Sequence, residues 1–439
     1  MKVHFLGIGG SGTSAAASIA QAQGYEVTGC DLEPHNEFTA HFDPNILLTG
    51  HDPKHLSGVE VLAVTPAIYS LDPHNMELFA AKDKNIKILT WQQFLGEYLT
   101  DSMTTITVCG THGKSTTTAM IATLLEDAGL DPTVELGGII PKWGTNYRVG
   151  KGKYFVVEAD EFNDNFLSFK PTISVVTNIE MDHPEYFKDF SAVKQSFAKF
   201  LSSTKQTIVA NLKDPGVRDV IASVTKQSNP EIATSPSAPR NDRIADYSKH
   251  LIDFPLQIPG EFNILNASAV YQVGLLIGID PQKIKMSLSN FTGLARRFEL
   301  IGQFNGAQVY SDFGHHPTEI KVTLDALRQK FPEKKLWVIY QPHMFSRTKA
   351  LFDDFVNVFK GAPVDGIVIL DIYPSRELDT GTVNSKQLVK AVARKNVEYS
   401  TWEEFKKNYI SYFSDKDIIF FMGAGDTDKF AKELVNLPK

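Results

Sequence analysis

The sequence is poor in cysteine, in long apolar runs and in excess positive charge. Only two cysteines occur among its 439 residues, Cys30 and Cys109, so a disulfide framework is excluded. No apolar stretch approaches the about twenty residues that a membrane span needs. The opening residues also lack the basic, apolar and small-residue order of a signal peptide. We therefore expect a cytoplasmic protein with no membrane partner.

The overall charge and composition narrow the class of protein further. The formal net charge is −7 and the pI is about 6.0. A nucleic-acid partner would require a positive surface, so we expect no nucleic-acid partner. At about 150 residues per domain, the length is enough for about three domains, and a hydrophobic content of 42% can supply a core for each.

Short apolar runs alternate with helical patterns along the whole chain, which is typical of parallel sheets covered by helices. We predict an α/β fold of three domains. They are a Rossmann-like domain over residues 1–100, a central P-loop ATPase-like α/β domain over 101–292, and a C-terminal Rossmann-like α/β domain over 293–439. The stretch 225–245, rich in Ser, Pro and Asn, is predicted to be a surface excursion.

The first glycine-rich loop follows the first predicted strand. Gly7, Gly9 and Gly12 have the spacing Gly-x-Gly-x-x-Gly, and Asp31 follows the next predicted strand. This pattern is that of a dinucleotide-binding loop, in which an acid follows about 20 residues after the glycines. Alone it would indicate NAD. Physically, the pattern indicates only that a diphosphate binds at a helix N-terminus, and UDP also carries a diphosphate.

The second glycine-rich loop, CGTHGKSTTT at 109–118, is the more specific of the two. Gly110 and Gly113 let the backbone wrap around phosphates, Lys114 supplies a positive charge, and the Ser115 hydroxyl can reach Mg²⁺. Val108 stands where the full Walker motif has its first glycine, so this is a shortened form. The loop predicts an ATP site at the start of the central domain.

Acidic residues follow two strands of the predicted central domain. Glu158 and Asp160 come directly after the apolar run YFVV, and Asp182 and His183 come after TISVVTNI. An ATP site requires metal-holding carboxylates at the ends of nearby strands. Glu158 is therefore our first choice as a metal ligand, and His183 is a weaker one because a lone histidine is more often structural.

Nine motifs occur in order along essentially the whole chain: FLGIGGSGTS, GTHGKSTTT, EADE, NIEMDH, FNILNASA, ARRFE, SDFGHHPTEI, QPHMFSRT and MGAGD. Together they resemble the Mur ligase family, and within it most closely the members that attach L-alanine. The resemblance implies an ATP- and Mg²⁺-dependent ligase that joins L-alanine to UDP-N-acetylmuramate through an acyl phosphate, in peptidoglycan precursor synthesis. It also explains the two glycine loops, the first for the UDP-sugar and the second for ATP. A monomer or weak homodimer is expected.

The resemblance also implies roles for single residues, in five groups. The catalytic residues would be Lys114, Glu158, His183 and Arg297, and the metal ligands Ser115, Glu158 and His183. ATP would be bound by Gly110, Thr111, His112, Gly113, Lys114, Ser115, Thr116, Asn263, Asn266, Arg297 and Asp312. The UDP-sugar would be bound by Gly7, Gly9, Gly10, Ser11, Gly12 and Asp31. The amino acid would be bound by His315, His316, His343 and Arg347.

Some residues depart from the pattern of the alanine ligases, and other functions remain open. Ser311 replaces an aspartate, and Met344 stands where an arginine usually follows the histidine of QPH, a change that bears on the choice of amino acid. The nearest alternative is the recycling ligase, which attaches a tripeptide to the same sugar. A nicotinamide-dependent dehydrogenase would use the first loop but leaves Lys114 and Glu158 without a role, and a UDP-sugar sensor without catalysis is the third possibility.

Overall fold

A computed structural model describes residues 1–100, 102–184, 186–227, 243–375, 377–379, 381–409 and 413–437. Most of the predicted surface excursion at 225–245 lies outside the described residues. The chain forms two compact units. The first comprises Met1–Met181, Phe190–Phe254 and Leu265–Ser289, and the second comprises Asp182–Asp189, Pro255–Ile264 and Asn290–Lys439.

The first unit begins with a five-stranded parallel sheet in the order β3-β2-β1-β4-β5. Its strands are β1 (Lys2–Leu6), β2 (Glu26–Asp31), β3 (Leu47–Thr49), β4 (Val61–Val64) and β5 (Lys87–Thr90). Its helices are α1 (Ser11–Ala22), α2 (Ile68–Leu71), α3 (Met76–Asp83) and α4 (Trp91–Phe94). The central strands β1 and β4 are buried along almost their whole length because helices cover both faces of a parallel sheet.

A seven-stranded sheet follows, in the order β12-β11-β10-β6-β9-β7-β8. Its strands are β6 (Thr104–Cys109), β7 (Thr133–Ile140), β8 (Thr145–Arg148), β9 (Tyr154–Glu158), β10 (Ile173–Val176), β11 (Thr207–Ala210) and β12 (Ile244–Asp246). The helices in this part of the chain are α5 (Lys114–Asp127), α6 (Phe190–Ser202), α7 (Pro215–Gln227), α8 (Glu261–Leu276) and α9 (Pro281–Asn290). The pairing of β7 with β8 is antiparallel, and the other pairings are parallel.

The second unit contains a six-stranded sheet in the order β13-β14-β18-β15-β16-β17. Its strands are β13 (Glu299–Phe304), β14 (Ala307–Asp312), β15 (Lys335–Tyr340), β16 (Gly366–Ile369), β17 (Val397–Tyr399) and β18 (Asp417–Met422). Its helices are α10 (Pro317–Lys330), α11 (Phe345–Ala350), α12 (Phe352–Gly361), α13 (Ser385–Val392), α14 (Trp402–Asn408) and α15 (Thr427–Val435). The central strand β18 is buried along its whole length, so helices pack on both of its faces.

The predicted α/β class is confirmed. Helix α5 follows the lysine loop directly, Pro317 is the first residue of α10, and Asn384 is the N-cap residue of α13. The antiparallel strands β8 and β13 were not predicted. Both are edge strands with mostly half-exposed residues, so they lack the continuous apolar run that marks a buried strand. Within the described residues, no helix is both long enough and apolar enough to cross a membrane.

Candidate active site

The first glycine loop joins β1 to α1 in a tight turn. Gly7 has a φ of +85°, and a Cβ there would lie 2.4 Å from Thr65 Cγ2, so a side chain is excluded both by conformation and by space. The Asp31 carboxylate at the end of β2 accepts a hydrogen bond of 3.0 Å from Gly9 N. The structure therefore brings Asp31 to the glycine loop, as the sequence pattern indicated.

The same loop contacts the central sheet within the first unit. Asn146 on β8 donates a hydrogen bond of 3.0 Å to Ser11 O, at the first residue of α1. A Cβ on Gly12 would lie 2.4 Å from Trp91 Cζ2, so this glycine allows α1 to pack against α4. The two glycines are thus required for different reasons, Gly7 for the conformation of the turn and Gly12 for the close packing of α1 against α4.

Helices α1 and α5 begin directly after the two glycine loops. Their N-cap residues are Gly10 and Gly113, and neither N-terminus is capped by a side chain. By contrast, His316, Asn384 and Thr401 form capping boxes on α10, α13 and α14. A helix N-terminus without a side-chain cap leaves N–H groups and the positive end of the helix dipole for an anion. The two glycine loops are therefore suited to phosphates.

The lysine loop between β6 and α5 is held in place by residues that directly follow β10. Asn178 Oδ1 accepts a hydrogen bond of 2.9 Å from His112 N, and Asn178 O accepts one of 2.9 Å from Thr111 N. Gly110 has a φ of +133°, and Thr177 lies so close to it that a Cβ would meet Thr177 Oγ1 at 2.1 Å. The loop conformation is thus set by residues 65 or more positions away in the chain, which sequence reasoning missed.

Lys114 lies between a carboxylate and two backbone carbonyls. Its Nζ is 2.9 Å from Glu161 Oε2, 2.7 Å from Gly110 O and 3.1 Å from Thr111 O. Burial would lower the pKa of Lys114, but the nearby carboxylates, Glu161 first among them, outweigh it and raise the pKa. Lys114 is therefore a held positive charge. Glu161 belongs to the same EADE motif as Glu158, and the sequence pattern did not distinguish which acid would pair with the lysine.

Ser115 and Glu158 meet at the start of α5. Ser115 Oγ donates a hydrogen bond of 2.9 Å to Glu158 Oε1, while Gly137 N donates one of 2.7 Å to Glu158 Oε2. Glu135 on β7 is buried nearby, and its Oε2 has no hydrogen-bond partner among the described residues. Burial raises the pKa of Glu135 well above its usual range, and the charges of Glu158 and Asp160 add to this.

Helix α8 carries two asparagines predicted to bind ATP. Both Asn263 and Asn266 are buried, and Asn263 Nδ2 donates a hydrogen bond of 2.7 Å to Pro259 O. Asn266 lies against the lysine loop, because a Cβ on Gly113 would be 2.7 Å from Asn266 Oδ1. Thr116, predicted to bind ATP, is buried in the first turn of α5.

In the second unit, a buried ion pair joins Asp182 to Arg347. Arg347 Nη2 donates a hydrogen bond of 3.2 Å to Asp182 Oδ1, with side-chain exposures of 4% and 9%. Arg347 Nη1 also lies 3.3 Å from His343 Nδ1. Burial would raise the pKa of Asp182, but the Arg347 guanidinium and nearby histidines hold it far below its usual range. The charge of Arg347 is thus paired inside the protein, a partnership the sequence did not predict.

The remaining predicted residues of the second unit surround Glu319. His315 Nδ1 lies 3.5 Å and Arg297 Nη1 lies 3.8 Å from the Glu319 carboxylate, and His316 caps α10. Burial lowers the pKa of His315 to about 4. The two oxygens of Asp312 accept hydrogen bonds from Phe298 N at 2.9 Å and Gly314 N at 2.8 Å, so this side chain holds the surrounding loop.

His183 belongs to the second unit, whereas Ser115 and Glu158 belong to the first. Its backbone has a φ of +53°, which is rare for a residue with a side chain, and its N–H donates a hydrogen bond of 2.7 Å to Asp182 Oδ1. Met344, the residue that departs from the family pattern, is buried and also has a positive φ, of +70°. The grouping of His183 with the other two predicted metal ligands stays a prediction.

Three parallel or largely parallel sheets, with two uncapped helix N-termini behind glycine loops, define an α/β protein of the phosphate-binding type. Sequence profiles then identify the family: the Mur ligase family catalytic domain matches residues 2–102, the Mur ligase middle domain matches 108–274, and the Mur ligase glutamate ligase domain matches 296–425. The chain belongs to the Mur ligase family.

Individual relatives are similar over the full length. The chain is 37% identical to the UDP-N-acetylmuramate--L-alanine ligase of Caldicellulosiruptor bescii, over 98% of this chain and 97% of the relative. It is also 37% identical to the enzyme of that name from Aquifex aeolicus, over 100% and 98%. The crystal structure of UDP-N-acetylmuramate-alanine ligase from Thermotoga maritima superposes with a TM-score of 0.76 at 25% identity, covering 99% and 98%.

Proposed function

We propose that this protein is an ATP-dependent ligase that joins L-alanine to UDP-N-acetylmuramate through an acyl phosphate, in the cytoplasm, as a step of peptidoglycan precursor synthesis. The observation that carries the proposal is the full-length similarity to relatives of that name, together with a lysine loop whose charged residues are all present. Lys114 pairs with Glu161, and the adjacent Ser115 pairs with Glu158. Such residues are suited to binding a triphosphate and its metal ion.

The first glycine loop would hold the UDP diphosphate. The N–H groups at the start of α1 are not capped by a side chain, and the glycines leave room for the phosphates to approach the backbone. Asp31 already accepts a hydrogen bond from Gly9 N, so its carboxylate would orient the loop beside a bound nucleotide. The predicted UDP-sugar contacts remain Gly7, Gly9, Gly10, Ser11, Gly12 and Asp31.

The second loop would bind ATP, with Lys114 neutralising the terminal phosphates. Ser115 and Glu158 supply oxygen ligands of the kind that Mg²⁺ prefers, and the buried Glu135, whose raised pKa favours the uncharged form, adds a further oxygen beside them. When bound, the ion would neutralise charge on the transferring phosphoryl group. Glu161 and the two carbonyls keep the ammonium of Lys114 in place and charged.

The amino acid would bind in the second unit, where the notable cation is Arg347. A free amino acid presents a carboxylate, which an arginine binds through paired hydrogen bonds. The Arg347 side chain is held by Asp182 and lies beside His343. We propose that His315, His316 and His343 complete this region, with Arg297 and Asp312 at the nucleotide. Met344 replaces the family's arginine, so amino acids other than alanine must also be tested as substrates.

Phosphate release measured with ATP, Mg²⁺ and UDP-N-acetylmuramate tests the function directly. We expect turnover with L-alanine that exceeds turnover with glycine, L-serine, D-alanine or the murein tripeptide. Turnover with the tripeptide alone would instead identify the recycling ligase. Binding of NAD without binding of the UDP-sugar in calorimetry would overturn the ligase proposal altogether.

A pair of lysine variants separates catalysis from general damage. Lys114→Ala removes the phosphate-binding charge and should lower kcat by at least about 100-fold, the usual loss for one group that stabilises the transition state electrostatically. Lys142→Ala is the matched control, because Lys142 is 58% exposed and pairs only with Glu126 among the described residues. Equal turnover in the two variants would refute the role of the lysine loop.

A further inference from the structure

A second group of reactive side chains lies in the first sheet, apart from the residues proposed for the reaction. We call it the His–Cys cluster, and it comprises His4 on β1, Cys30 on β2, Glu77 on α3 and His55 in the short helical turn Pro53–Leu56. His4 and Glu77 are fully buried, Cys30 is buried, and the His55 side chain is 16% exposed. Neither the family resemblance nor the glycine loops assign these residues a role.

The cluster converges on the Glu77 carboxylate. Its Oε1 lies 2.8 Å from His55 Nδ1, and its Oε2 lies 3.3 Å from His4 Nε2 and 3.4 Å from Cys30 Sγ. One nitrogen, sulfur or oxygen atom from each of the four residues falls within 4.8 Å of the others. In a tetrahedral zinc site with bonds of about 2.0–2.3 Å, neighbouring ligand atoms are about 3.3–3.8 Å apart. Small side-chain movements would bring these four atoms to that spacing.

His4 supplies an independent indication of a ligand. Its Nδ1 is hydrogen-bonded to Thr28 Oγ1 at 2.8 Å, which fixes the ring. Its Nε2 lies 3.3 Å from Glu77 Oε2, within ion-pair distance but outside the geometry of a well-formed hydrogen bond. A buried ring nitrogen without a hydrogen bond costs free energy, and a histidine held at one nitrogen with the other directed into a cluster is the usual arrangement of a metal ligand.

The surroundings also fit a metal site. Asp52 N donates a hydrogen bond of 2.9 Å to Glu77 Oε1, which orients the carboxylate. His51 Nδ1 lies 3.4 Å from Cys30 Sγ. Imidazole, thiolate and carboxylate together form the mixed ligand set that zinc accepts in closed four-coordinate sites.

We propose that His4, Cys30, His55 and Glu77 bind a divalent transition ion of the zinc type, as a structural site of the first sheet. On binding, the Cys30 thiol loses its proton to solvent and the sulfur forms a bond to the metal, with no change of oxidation state. The site would link β1, β2 and α3, and it would hold β2 immediately before Asp31. It is independent of the magnesium site proposed for the reaction, which contains no sulfur.

Cobalt is the probe that tests this, because a thiolate bound to Co²⁺ produces a charge-transfer band that oxygen ligands do not. The full-length protein is treated with dipicolinate and titrated with Co²⁺, then with Zn²⁺. We expect one cobalt ion per chain to produce the thiolate band together with tetrahedral ligand-field bands, and zinc to remove both. The thermal midpoint of the metal-free protein should rise on adding Zn²⁺.

Two cysteine variants make the test specific. Cys30→Ser should abolish the thiolate band and weaken cobalt binding at least tenfold, while Cys109→Ser, the other buried thiol, should retain the band. If Cys30→Ser fails to fold by circular dichroism, His55→Gln serves instead and should lose the tetrahedral bands. No thiolate band in the wild-type protein, or a band that survives in Cys30→Ser, would overturn the proposal. The cluster would then be a hydrogen-bonded network, whether or not the protein has ligase activity.

Discussion

The buried pair of Asp182 and Arg347 permits a quantitative prediction about the stability of the second unit. Asp182→Asn keeps the size of the side chain and an oxygen for the His183 N–H, but it removes the negative charge. The guanidinium would then be buried without a counter-ion, since the Arg347 side chain is only 4% exposed and its Nε has no hydrogen-bond partner among the described residues. Removing one partner of a buried pair costs about 3–5 kcal/mol. We expect the lower end, about 3 kcal/mol, because His343 remains in contact with Arg347.

The pH dependence of this effect has a definite sign. The pKa of Asp182 is held far below the value of about 3.9 of an unfolded aspartate. A depressed carboxyl pKa contributes stability that is complete above the unfolded pKa and is lost as the pH falls through the folded pKa. The difference between the wild type and Asp182→Asn should therefore be constant from neutral pH down to about pH 5 and should shrink below pH 4.

Urea unfolding, followed by circular dichroism and tryptophan fluorescence, measures the difference. The double variant Asp182→Asn with Arg347→Met removes both charges and should be more stable than Asp182→Asn alone, because no unpaired charge stays buried. A loss of less than about 1 kcal/mol in the free energy of unfolding of the single variant would mean that the pair contributes no more than an exposed ion pair does. A double variant no more stable than the single one would also refute the reasoning.

Three further predictions concern separate parts of the chain. Gly12→Ala would place a Cβ 2.4 Å from Trp91 and should cost about 1–3 kcal/mol in thermal unfolding, whereas Gly361→Ala, where a Cβ meets nothing within 4 Å, should cost much less. The pKa of His315 is lowered to about 4. The contribution of His315 to stability is therefore complete above its unfolded pKa of about 6.5 and is lost as the pH falls towards 4. In urea titrations, His315→Gln should flatten that part of the stability profile. Glu158→Gln should raise the Mg²⁺ concentration needed for half-maximal phosphate release at least tenfold, and an unchanged requirement would exclude Glu158 as a ligand.

The α/β class and most of the strands and helices could be predicted from the sequence, because their signals are local. Apolar runs such as those of β1 and β18 indicate strands buried on both faces, and Pro317 and Asn384 mark helix starts by the chemistry of capping. The two glycine loops could also be predicted from the sequence, because their turns require positive φ values. Gly7 and Gly113 have such values, which few residues other than glycine adopt. The edge strands, being half exposed, lacked such a signal.

The pairings of charged residues could not be predicted in this way. Lys114 and Glu161 are 47 residues apart, and Asp182 and Arg347 are 165 apart. Which acid of EADE meets the lysine depends on how the chain turns after β9, and that turn includes two non-glycine residues with positive φ, Asn163 and Asp164. The grouping of His183 with Ser115 and Glu158, and the domain boundaries at 100 and 292, stay predictions.

The sequence by itself determined which segments become strands and helices and where backbone can approach phosphate, because conformational limits and capping act over a few residues. Only the tertiary structure decided which charges neutralise one another and which buried groups gather, as in the His–Cys cluster drawn from β1, β2, α3 and the turn at Pro53–Leu56. The physical reason is that parallel strands adjacent in space come from distant parts of the chain, so the order of strands in the sheet, and not the order of residues, sets these contacts.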